Sequence, residues 1–112
     1  MSQPLYKVLS SDLWRQAEGE GEFRGAGIDL QDGFIHLSSA GQVKETVAKH
    51  FCDQDDLVLV TIDEERLGTS LKWEPSRGGD LFPHVYGVIS MEAVDRVEPL
   101  PLGPGNVHQF PF

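Results

Sequence analysis

Residues 57–62 read Leu-Val-Leu-Val-Thr-Ile, and this run decides the fold. Its apolar and β-branched residues, with no Gly or Pro among them, predict a strand. Because the run is unbroken rather than alternating, it predicts a strand buried on both faces. Just upstream, Ser39-Ala40-Gly41-Gln42 is a Ser-x-x-Gln capping box. In such a box the serine hydroxyl accepts from the Gln42 amide while the glutamine side chain reaches back to the cap. Ala40, Val43, Val47 and Phe51 then fall at spacings that predict one face of an amphipathic helix. The polar stretch Asp53–Asp56 separates this helix from the strand.

The same reading extends outward in both directions. Leu5–Leu9 follows Pro4 and predicts a first strand. Ser10 or Ser11 caps a helix running to about Glu18, with Asp12 in its first turn and Leu13, Trp14 and Ala17 as its apolar stripe. Residues 18–33, EGEGEFRGAGIDLQDG, read as a long loop rich in glycine and acid. Further strands are predicted at Gly33–Ser38, Leu71–Trp73, Val85–Ile89 and Val94–Leu100. Strand, helix, strand, helix and then mostly strands, with two main helices, make an α+β domain rather than a doubly wound parallel sheet. Residues 1–98 form this single small domain, and 99–112, PLPLGPGNVHQFPF, hold four of the seven prolines. Proline removes backbone donors, so this tail is expected to be extended. Leu100, Leu102, Val107, Phe110 and Phe112 favour a strap packed over the domain, the alternative being a disordered end.

Composition narrows the function classes. A chain of 112 residues fits one domain. One cysteine, Cys52, excludes a disulfide framework and a Cys-rich zinc site. No stretch approaches the roughly 20 apolar residues of a membrane span, and the N-terminal residues lack the apolar core of a signal peptide. The expected location is therefore cytoplasmic. Eighteen Asp and Glu against nine Lys and Arg, a net charge of −9, argue against nucleic acid or an anionic membrane as partner.

Two segments carry groups suited to chemistry. In GFIHLSS, residues 33–39, period-two alternation puts Ile35 and Leu37 on one face and Phe34, His36 and Ser38 on the other. An imidazole and a hydroxyl ahead of a helix N-terminus suit a phosphate, a carboxylate or a ribose hydroxyl. The alternative is a histidine bonded to a neighbouring strand, with Ser38 helping to cap the helix. In LKWEPSRGGDLFPHVYG, residues 71–87, Trp73, Glu74, Arg77, His84 and Tyr86 gather around two glycines and two prolines. A planar aromatic, a guanidinium and an imidazole on one platform suit a small polar or anionic ligand. The alternative there is a hairpin whose Trp73 and Tyr86 complete the core, with Arg77 paired to Glu74 or Asp80. Cys52 and His50 fall on different helix faces and make no nucleophile pair. His36, His84 and His108 lack i, i+4 spacing, so no metal site is expected. The glycines at 19, 21, 25 and 27 alternate with acids, the wrong charge for cradling phosphate.

The segments LYKV, DGFIHLSSAGQ, LVLVTID, LKWEPSRGG and FPHVYG follow in that order across residues 5–98. Their order resembles a family of small bacterial proteins, domain-of-unknown-function family 952. More distantly, a His-Leu-Ser strand ahead of a helix and an apolar strand is similar to the ADP-ribosyltransferase fold, RNA 2′-phosphotransferases above all. That resemblance implies a split, mostly antiparallel α+β sheet with an NAD-binding cleft. It puts Lys7 near the family's first position, matches His36 to its second and makes His84 the third. Lys7 stands where the fold usually has His or Arg, no glutamate takes the late catalytic position, and Arg77 alone matches the RNA-phosphate arginines. In an enzyme of this kind His36 orients the ribose or diphosphate and His84 is the acid/base. Trp73 or Tyr86 stacks on a planar ring, and Arg77 holds an anion. The binding residues expected in this cleft are Lys7, Ser38, Trp73, Glu74, Arg77 and Tyr86; a non-catalytic module that keeps the cleft without turnover, and an interaction domain working through Phe110-Pro111-Phe112, are the other two readings.

Overall fold

The Leu57–Ile62 run lies in the interior of a four-stranded sheet, hydrogen-bonded on both edges. A computed structural model describes residues 3–112, the side chain of Arg77 excepted. In chain order the elements are β1 (Pro4–Ser10), α1 (Ser11–Glu20), β2 (Glu22–Phe23), α2 (Ile28–Asp32), β3 (Ile35–His36), β4 (Ser38–Ser39) and α3 (Val43–His50). They continue as β5 (Leu57–Asp63), β6 (Leu71–Pro75), β7 (Leu81–Val85), β8 (Ile89–Ser90) and β9 (Val94–Leu100). One sheet has the order β4-β1-β5-β9, a second β3-β7-β6, and β2 pairs with β8 in a small ribbon. Every one of these pairings is antiparallel.

Period-two alternation in β1 and β5 sorts the core into two layers. Leu5, Leu9, Val60 and Ile62 face Trp14 and Ala17 of α1 together with Ile35, Leu37, Val85 and Ile89. Tyr6, Val8, Leu57 and Leu59 face Val43 and Val47 of α3, with Phe51 and Phe110 packed alongside. This double cover is why residues 57–60 of β5 can be apolar on both faces. Lys7 shares the alternation of Leu5 and Leu9, so its stem enters the first layer and its ammonium must find a partner there.

Residues 35–39 join the two larger sheets. Ile35 and His36 lie opposite Val85 and His84, whereas Ser38 and Ser39 lie opposite Tyr6 and Leu5. Between them the Leu37 amide donates to the Pro83 carbonyl at 3.0 Å. The strand expected over Gly33–Ser38 is thus two short strands, divided where the chain leaves one sheet for the other. A cleft lies beside this crossing.

Other expectations are corrected by tertiary packing. The stretch 18–33 is not one loop: it contains the end of α1, the strand β2 and the helix α2. Gly33 ends α2 with φ 84°, a left-handed cap that glycine adopts without steric cost. The strand expected over Val85–Ile89 breaks into β7 and β8, because residues 86–88 turn away. Leu13 and Ala40 are exposed rather than packed on their helices' buried faces. The capping box is half realised: the Gln42 side chain accepts from the Ser39 amide at 3.1 Å, but the Gln42 amide donates to the Ser39 carbonyl, not its hydroxyl. The tail does not begin at Pro99, since β9 runs on to Leu100. Beyond it, Phe112 lies 5.3 Å from the Tyr6 ring, and His108 Nε2 lies 2.8 Å from the Gln54 carbonyl.

Candidate functional site

The cleft holds about 350 Å³ and is walled by β1, α2, the β3–β4 crossing, α3 and β7. Its polar lining includes Lys7, Asp29, Asp32, His36, Ser38, Thr46 and His84. The β3–β7 register puts His36 directly opposite His84, and their ring centroids are 5.4 Å apart. Phe34 stacks on His84 at 4.3 Å and also meets His36 and Tyr86. It fixes the plane of the buried imidazole.

Each histidine is backed by a carboxylate. His36 Nδ1 is 2.7 Å from Asp29 Oδ1, and His36 Nε2 is 3.0 Å from Asp32 Oδ2. His84 Nδ1 is 2.8 Å from Glu74 Oε1, and the Tyr86 hydroxyl donates to that same oxygen at 2.8 Å. His84 is 4% exposed, and its Nε2 is buried with no hydrogen-bond partner. Leaving a buried polar atom unpaired costs about 1–3 kcal/mol. With Nδ1–H donating to Glu74, Nε2 of the neutral ring is the acceptor nitrogen.

Asp29 anchors the other side. Its side chain is 1% exposed and receives four donors: Lys7 Nζ at 2.7 Å, the amides of Ala26 and His36, and the His36 ring. Lys7 Nζ also donates to the His36 carbonyl at 3.0 Å. Burial pulls the Lys7 ammonium below its ordinary range, with Asp29 acting against that pull. Burial alone would raise the Asp29 carboxyl, but the Lys7 ammonium and the hydrogen bonds from Lys7 and His36 outweigh it and hold the group low. The His84 hydrogen bond, with that of Tyr86, holds Glu74 low. The Glu74 contact in turn raises the Tyr86 phenol.

The arrangement sorts the residues expected from sequence. Lys7, His36, Ser38 and His84 all line the cleft, while Glu74 and Tyr86 stand behind His84. Trp73 packs against the core instead. Ser38 Oγ pairs with Thr46 Oγ1 at 3.0 Å, tying the crossing to α3. The backbone of Arg77 follows the cleft residue Ser76. Asp29, Asp32 and Thr46 were not singled out by sequence. The one local sign was an acid set among Gly25, Gly27 and Gly33, and its buried partner Lys7 lies 22 residues away. No group of three or more His, Cys, Asp or Glu arranged to hold a metal ion occurs among the described residues.

Residues 8–97 match the family model described as protein of unknown function, DUF952. The chain belongs to the DUF952 family. Its fold is also that of a solved relative, protein CC0527 from Caulobacter crescentus. The CC0527 crystal structure has a TM-score of 0.91 at 46% identity, covering 96% of this chain and 94% of that one. The solution structure of the same protein gives 0.85 at 46% identity, with 95% and 91% covered. No curated protein matches the chain. The DUF952 domain is therefore a small α+β unit of antiparallel sheets and few helices, and no helix among its described residues is long and apolar enough to cross a membrane.

Proposed function

We propose that the cleft binds NAD or a related ADP-ribose nucleotide and transfers the ADP-ribosyl group to water or another hydroxyl, with His84 as general base. The observation that carries this reading is the ring of His84, a residue that lines the cleft: Nδ1 is held by Glu74 while Nε2 is buried and unpartnered. That is the orientation a carboxylate-backed base requires. Two sheets parting at a His-Leu-Ser crossing also support an ADP-ribosyltransferase-like arrangement.

In the proposed step, His84 Nε2 takes the proton of the attacking hydroxyl as its oxygen bonds to C1′ of the ribose. The C1′–N bond breaks with its electron pair going to the ring nitrogen, so nicotinamide leaves neutral and needs no general acid. Glu74 stabilises the imidazolium that forms. Asp32, at the mouth of the cleft, lies near positive charge developing on the sugar. Both ring nitrogens of His36 face carboxylates, so its role is to position the site rather than to abstract a proton.

Release of nicotinamide from NAD by the wild-type protein, reduced about 100-fold or more in His84→Ala, is the expected result. A second reading, binding without turnover, is favoured by the closed hydrogen-bonding of His36 and by the absence of a glutamate at the late catalytic position. A thermal shift with NAD or ADP-ribose and no release would select it. Neither shift nor release overturns both readings.

A further inference from the structure

We infer that the cleft receives the nucleoside end of its ligand, base and ribose, while the phosphates remain outside. This rests on the nucleotide reading above and assigns the ligand's direction within the same site. The first reason is charge. Asp29 and Asp32 line the cleft, and the Lys7 ammonium is neutralised by Asp29 at 2.7 Å and further engaged by the His36 carbonyl. A diphosphate pushed inside would find the buried ammonium already paired and would meet the part-exposed Asp32 carboxylate.

The second reason is the character of the unpaired atom. With Nδ1 donating to Glu74, His84 Nε2 is a buried acceptor, so it selects an N–H or O–H donor. Ring amino groups, carboxamides and ribose hydroxyls supply such donors, whereas a phosphate dianion supplies acceptors. Asp32, 39% exposed at the mouth, can accept from ribose hydroxyls there. The third reason is size. About 350 Å³ lies at the low end of the roughly 300–1,000 Å³ typical of ligand sites. That accommodates a nucleoside and falls short of a dinucleotide.

The test is competition calorimetry on the full chain with NAD, nicotinamide riboside, adenosine and inorganic pyrophosphate. Nicotinamide riboside, which carries the C1′–N bond that the proposed step breaks, should bind within about tenfold of NAD and displace it, adenosine should compete more weakly, and pyrophosphate should leave NAD affinity unchanged. His84→Gln should weaken NAD and nicotinamide riboside by the same factor. Pyrophosphate displacing NAD while neither nucleoside does would overturn the inference and leave the nucleotide reading standing. No binding by NAD or any nucleoside would remove the nucleotide reading, and the inference with it.

Discussion

His36 and His84 face each other across adjacent antiparallel strands, in register, with their rings nearly edge-on at 70° and 5.4 Å apart. The pairing is a consequence of the crossing at Leu37. Only its first half, Ile35–His36, lies on β7, and there alternation brings both imidazoles to the same side. Their surroundings then separate them. His36 lies between Asp29 and Asp32, while His84 keeps one nitrogen unpaired.

Asp29→Ala leaves the Lys7 ammonium buried without its counter-charge. Breaking one half of a buried pair costs about 3–5 kcal/mol, which urea unfolding would measure. The double variant Lys7→Met, Asp29→Leu should recover most of that loss. Equal instability in both variants would show that the backbone bonds of Asp29, not the ion pair, hold α2.

Acid should destabilise the fold through the same groups. Asp29 and Glu74 titrate below their ordinary values of 3.8 and 4.5 in the folded state. The unfolded chain therefore takes up protons first as the pH drops, and folded stability declines from about pH 5 downward. Above that range their contribution is complete and independent of pH. Thermal melts from pH 7 to pH 3 should show a plateau and then a fall, shallower in Glu74→Gln.

His84→Leu should uncouple stability from function. It removes the buried unpartnered nitrogen while Glu74 keeps its bond from Tyr86. The change in unfolding free energy should stay within about 1 kcal/mol, while ligand-induced stabilisation disappears. A loss of several kcal/mol would make the His84–Glu74 contact structural.

Gly25 has φ 110°, and a Cβ there would lie 3.0 Å from the Asp29 Cβ. Gly25→Ala should cost about 1–3 kcal/mol through backbone strain and displacement of Asp29. Gly19→Ala, where nothing lies within 4 Å, serves as the control and should be neutral or slightly stabilising within a helix. Denaturant midpoints of the two variants decide the point.

Much of the framework was legible because its signals are local. The Leu57–Ile62 run, the Val43–Val47 helix face and the Ser10 cap depend on residues near one another in sequence, and all three reappear in the structure. His36 and His84 were legible as candidates for the same reason, since polar groups flanked by core-facing apolar residues stand out in a strand. Asp29 did not stand out. Its stretch has no apolar period, and a carboxylate among glycines reads as a solvated loop until Lys7 meets it.

By itself, the sequence determined the α+β class and the central strand, because periodicity and capping operate over a few residues. Tertiary structure alone decided that Leu37 divides one strand between two sheets, that Trp73 belongs to the core, and that Asp29 fixes Lys7 and His36. It also decided which imidazole nitrogen is left unpaired. Those outcomes depend on desolvation and on partners brought together from distant parts of the chain, and no local pattern encodes either.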